Sequence, residues 1–117
     1  MWKVRLFKPL IVTVLLTQSA TVLAAPLQVL AVDKDTCQDW ATSKDDPDLR
    51  KNHIAWVRGF LTGHNYANQS HQVAEVSNGT VELYVTSFCR QKPLASLLDA
   101  ASRMSDEYSG RKTPITK

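Results

Sequence analysis

Cys37 and Cys89 are the two cysteines of this 117-residue chain, 52 positions apart and without a CxxC neighbour. What they can do depends on where the chain is delivered. Lys3, Arg5 and Lys8 precede the apolar run 10–16, and small residues follow at Ala20, Ala24 and Ala25, which is the layout of a secretory leader. Cleavage after Ala24 leaves Val22 and Ala24 where small or modest side chains are wanted, whereas cleavage after Ala25 would put Pro26 first. Residues 1–24 are therefore read as a removed signal peptide. A membrane anchor is the competing reading, but an apolar stretch of about 15 residues broken by Thr and Gln falls short of the ~20 that cross a bilayer.

Export beyond the inner membrane of a bacterium, or out of the cell, sets both thiols in oxidising surroundings. The remaining chain, about 93 residues, buries only about two thirds of its unfolded surface, so a covalent staple adds stability that a small core lacks. An internal disulfide is the economical pairing; a bond from each thiol to another chain or to a metal is the alternative, less suited to two isolated cysteines. Closing a loop of about 53 residues removes about 4 kcal/mol of entropy from the unfolded chain, a large share of the ~5–15 kcal/mol that stabilises an ordinary domain.

The leader also carries three of the 14 Lys and Arg, while all 11 Asp and Glu follow it. The exported form thus balances 11 positive against 11 negative side chains, and overall basicity gives no reason to expect a nucleic-acid partner.

Helical spacing dominates what remains. Residues 25–35 have no helical period and are read as an extended arm. In "DTCQDWATSK", Asp35 or Thr36 can cap a short helix that sets Cys37 and Trp40 on one face. In "DDPDLRKNHIAWVRGFLTGHNYANQS", Asp46 is a candidate N-cap, Pro47 stands where its missing N–H is harmless, and Asp48 suits the positive end of the helix dipole. Leu49, Trp56, Phe60 and Ala67, widened by Ile54, Val57 and Leu61, form the apolar stripe of a helix of about five turns.

After a turn at Asn78-Gly79, Thr80 can cap a third helix with Val81, Tyr84, Val85 and Phe88 on the side of Cys89. "TVELYVTSF" is also rich in strand formers, so a strand is the alternative. Pro93 ends that element and opens a last helix lined by Leu94, Leu97, Leu98, Ala101, Met104 and Tyr108. The expectation is an all-α, single-domain bundle of about four helices over residues 36–109 with one internal disulfide, and a flexible tail at 110–117.

No catalytic constellation is visible: there is no Gly-rich phosphate loop, GxSxG elbow or HExxH. His53 and His64 would lie about 16 Å apart along one helix and cannot share a metal through it. The three His are read as partly exposed surface or helix-end groups, with a titration role between pH 5 and 7 as the alternative. Asp45, Asp46 and Asp48 are explained by helix capping. The chain is thus expected to be no enzyme, with no cofactor and no metal.

Gly59 and Gly63 form GxxxG within the long helix, which suggests tight packing of the Cys89 helix, or else a dimer seam or a recognition groove. The aromatic set is generous for so small a core, and any excess would form a partner surface. Trp56, Phe60, Gly59, Gly63, Tyr66, Tyr84 and Phe88 are accordingly the candidate protein-binding residues.

"TCQDW", "AWVRGFLTG", "FCRQKP" and the following "LASLLDA" resemble the HdeA/HdeB group of small periplasmic proteins, over Thr36 to about Met104. The segment "SKDDPDLRKNH" is longer than that family's pattern. The resemblance implies a small helical protein with one disulfide, matching Cys37 and Cys89. It implies an acid-stress chaperone that works without ATP, a folded dimer at neutral pH that strong acid loosens to hold denatured periplasmic clients. In strong acid the 11 carboxylates are neutralised and the three His charged, taking the side chains of the exported form to about +14, which favours expansion. A second expectation, from a different class, is an immunity or inhibitor-type binding protein that blocks a partner toxin enzyme.

Overall fold

The computed structural model describes Arg5, Pro9 and residues 25–110. The rest of the expected signal peptide and the tail at 111–117 lie outside the described residues. Four helices follow the arm: α1 (Cys37–Thr42), continued by a 3-10 turn at Ser43–Asp45, then α2 (Pro47–Ala67), α3 (Asn78–Gln91) and α4 (Leu97–Tyr108). Helix α4 packs on both α2 and α3, and α1 packs on α3. No strand occurs among the described residues; Thr36 and Ser96 form one isolated antiparallel bridge. Among those residues, too, no helix is long and apolar enough to cross a membrane.

The bridge joins two helix starts. The Cys37 N–H donates to the Ala95 carbonyl (2.9 Å) and the Leu97 N–H to the Asp35 carbonyl (2.8 Å), so the segment leading into each helix satisfies the first orphan donor of the other. Each start also carries a capping box, Thr36 with Asp39 and Ser96 with Asp99. The two acidic residues place negative charge where two positive dipole ends meet.

Two boundaries differ from expectation. Helix α4 starts at Leu97 rather than at Pro93, because Ser96-x-x-Asp99 builds the stronger cap, and Pro93 and Leu94 are left in an exposed turn. Helix α3 starts before Thr80: the Ser77 hydroxyl accepts from the Thr80 N–H (3.1 Å), and Asn78 and Gly79 form the first turn instead of a separate one. The strand alternative for "TVELYVTSF" fails on its pattern. Val81 and Val85 are buried while Leu83, which would share their face in a strand, is 74% exposed.

The core stripe of α2 is also rotated from the expected one. Its buried residues are His53, Ile54, Val57, Leu61 and His64, while Trp56 and Phe60 sit at the flank and Ala67 is exposed. Gly59 and Gly63 consequently face outward, and a Cβ built on either meets nothing within 4 Å. The expected close packing of the Cys89 helix against GxxxG is absent.

The Cys37–Cys89 disulfide joins α1 to the end of α3 with Cα atoms 5.1 Å apart. Converting Cys37 and Cys89 to Ser is expected to lower the unfolding free energy by about 2–4 kcal/mol, measured from the urea midpoint; an unchanged midpoint would show that the tie contributes nothing. Gly59→Ala and Gly63→Ala should each raise stability by up to about 1 kcal/mol, since both positions are helical and open. A loss of stability in either variant would mean that another surface lies on that face.

Candidate functional site

The side chain of Trp40, the largest among the fully buried ones, gathers three elements around it. Its indole N–H donates to the Thr86 hydroxyl of α3 (3.1 Å). The Arg50 guanidinium of α2 lies 3.9 Å from the ring centroid, a cation–π contact in a sheltered place. Arg50 also donates to the Trp40 carbonyl (2.7 Å), the Ser43 hydroxyl (2.7 Å) and Glu82 (2.8 Å), which pairs its charge and gives each of its three nitrogens a partner.

One turn further along α2, the His53 ring stacks on Trp40 with centroids 5.9 Å apart. His53 is 0% exposed, contrary to the expectation of three partly exposed histidines; His64 is buried too, and His71 alone is exposed. The Nε2 of His53 lies 2.8 Å from the Lys34 carbonyl. A carbonyl only accepts, so Nε2 carries the proton and the neutral ring leaves Nδ1 as a bare acceptor. That atom has no hydrogen-bond partner. Burial, first of all, holds the His53 pKa below its ordinary value; the Lys34 carbonyl raises it, Arg50 lowers it, and Asp39 and Asp35 raise it slightly. The carbonyl that His53 grips belongs to Lys34, whose φ of 64° is a left-handed conformation that a side-chain-bearing residue adopts only when held.

The sequence-predicted binding residues are dispersed rather than gathered. Trp56 and Phe60 touch each other at 5.9 Å on the flank of α2, where the Trp56 N–H donates to the Leu30 carbonyl of the arm (2.8 Å). Gly59 and Gly63 lie open on the outer face of the same helix, and Tyr66 is 83% exposed near its end. Tyr84 packs edge-on against Tyr108 on another side, its phenol pKa pushed up by burial and by Glu107. Phe88 is buried. Along the arm, Leu27 and Leu30 are exposed apolar side chains.

Beside Trp40 lies a second feature, a groove of about 670 Å³ whose deep part is formed by Trp40 and the Cys37–Cys89 disulfide. Among the described residues no group of three His, Cys, Asp or Glu is placed to hold a metal ion. Sequence reasoning passed over Arg50 and the burial of His53. The signal was present in the spacing: His53, Val57, Leu61 and His64 recur at 4, 4 and 3, a helix stripe in which two imidazoles occupy core positions.

Because folding lowers the His53 pKa, the unfolded chain binds a proton that the folded chain refuses over the interval from about 6.5 down to the folded value. With more protons on the unfolded state, stability must fall as pH falls through that interval and level off below it. His53→Phe keeps a ring against Trp40 and removes the titration. Urea midpoints between pH 7.5 and 4 should therefore slope less steeply in this variant, by up to about 1.4 kcal/mol per pH unit; parallel slopes would exclude His53 as a source of acid sensitivity. Compared with protein-family models, curated proteins and solved structures, the chain matches none of them.

Proposed function

We propose that this chain is an exported, ATP-independent holdase: a folded bundle at neutral pH that acid loosens, uncovering apolar helix faces that retain partly unfolded periplasmic proteins. The observation that carries this reading is the fully buried neutral His53 with its unpartnered Nδ1, set against the indole on which α1, α2 and α3 converge. A proton added there places charge in the core beside Arg50, with no acceptor for the new N–H. Opening relieves both.

The resemblance of the cysteine, tryptophan and proline segments to the HdeA/HdeB group supports the same reading, as does the leader-like segment at residues 1–24. Loosening has a defined limit. The disulfide continues to hold α1 to α3 when side-chain packing is lost, so the opened form is a tethered chain that exposes Val81, Val85, Phe88 and the α4 stripe without dispersing fully. The outward Tyr66 and the flank of Trp56 and Phe60 add apolar surface already at hand.

Light scattering of an acid-denatured client protein at pH 2–3 tests the proposal. A few-fold molar excess of the chain is expected to suppress aggregation there, and the same ratio is expected to leave a reduction-denatured client unprotected at pH 7. Absence of suppression in acid would remove the holdase role. Tight one-to-one binding of a single enzyme at neutral pH would instead favour the inhibitor-type alternative.

A further inference from the structure

The groove beside the disulfide has a lining that specifies a ligand more narrowly than an apolar patch does. At about 670 Å³ it falls within the range of small-molecule sites. Its deep residues are Cys37, Cys89 and Trp40, all buried, and its mouth carries Pro93 and the fully exposed Leu94. Each polar side chain at depth already has a partner. The Thr86 hydroxyl accepts from Trp40, and Arg50 is occupied by Glu82, Ser43 and the Trp40 carbonyl. A group entering the groove therefore meets sulfur, indole and aliphatic carbon, and must itself be apolar.

The rim has the opposite character. Lys44 and Arg90 are exposed cations of the lining, and neither joins an ion pair among the described residues. Glu82 is the one carboxylate of the lining, and Arg50 neutralises it at 2.8 Å. An apolar depth under a rim of net positive charge is complementary to a molecule with an apolar body and an anionic head.

We infer that this groove binds an amphipathic monoanion of the fatty-acid class, its chain lying over the disulfide, Trp40 and Leu94 and its carboxylate held at the rim by Lys44 and Arg90. A second copy of the chain fits poorly, because a two-fold contact through this face would bring the same cations together. Occupancy belongs to the folded state at neutral pH and does not depend on whether acid opens the bundle.

Isothermal titration calorimetry of the full exported chain at pH 7.5 with sodium dodecanoate, kept below its micelle concentration, tests this. Dodecyltrimethylammonium, the same chain with a cationic head, serves as the control. The expected result is saturable one-to-one binding of dodecanoate, at least tenfold tighter than the cation. Two variants confined to exposed side chains, Lys44→Gln with Arg90→Gln and Leu94→Asp, should each weaken it at least fivefold while circular dichroism and melting temperature stay unchanged. Absence of saturable binding, equal binding of anion and cation, or unaltered binding in both folded variants would each overturn the assignment. So would a ligand-free dimer, seen by sedimentation, that Leu94→Asp dissociates, which would give the groove to a second copy. An acidic apolar peptide that binds at least tenfold tighter than dodecanoate would likewise give it to a protein partner.

Discussion

A helix of six residues is far too short to hold itself in water, yet α1 carries Trp40, the side chain around which the bundle is organised. Its position depends on the covalent tie from Cys37 to Cys89. Through that tie the end of α3 fixes the start of α1; through Trp40, α1 then reaches Thr86 of α3 and Arg50 and His53 of α2. Without the tie, the backbone bridge to residues 95–97 and the contacts of one indole would have to supply the ordering alone. The disulfide is thus less a staple on a finished core than the condition for having Trp40 in the core.

Acid acts on this arrangement in sequence rather than all at once. The His53 contribution declines first, below about pH 6.5, because the unfolded chain takes up a proton that the buried ring refuses. Asp39 acts in the same direction, at lower pH. Its hydrogen bonds from Thr36 hold its pKa below the usual carboxylate value, so its contribution persists to lower pH and is lost as pH falls through that lowered value. Asp39 and Asp99 also offset the two positive helix ends joined at the Thr36–Ser96 bridge. Protonation of Asp39 leaves the α1 end of that pair without its compensating charge.

Much of the fold was legible because its signals are local. The Asp46-Pro47 start of α2, the Thr36 cap of α1 and the pairing of the only two cysteines follow from residue chemistry and spacing. The misplaced starts of α3 and α4 came from weighing Asn78-Gly79 and Pro93 above the serines, when the Ser96–Asp99 box and the Ser77 cap decide the boundaries. The site was harder to see. Helical periodicity says which residues share a face, but a stripe wide enough to include Trp56 and His53 does not say where its centre lies. That centre is fixed by what packs against it, and here Trp40 and α4 draw it toward the two imidazoles, leaving Trp56, Gly59 and Gly63 toward solvent.

The groove and the acid-sensitive core share one side chain, and this couples them. Trp40 supplies an inner surface of the groove and the ring on which His53 stacks. A ligand lying over Trp40 binds the folded arrangement and not the opened one, so it stabilises the bundle by mass action. Reciprocity then requires that protonation of His53, by favouring the opened form, weaken that ligand. A proton on His53 and a ligand over Trp40 therefore work against each other through one side chain.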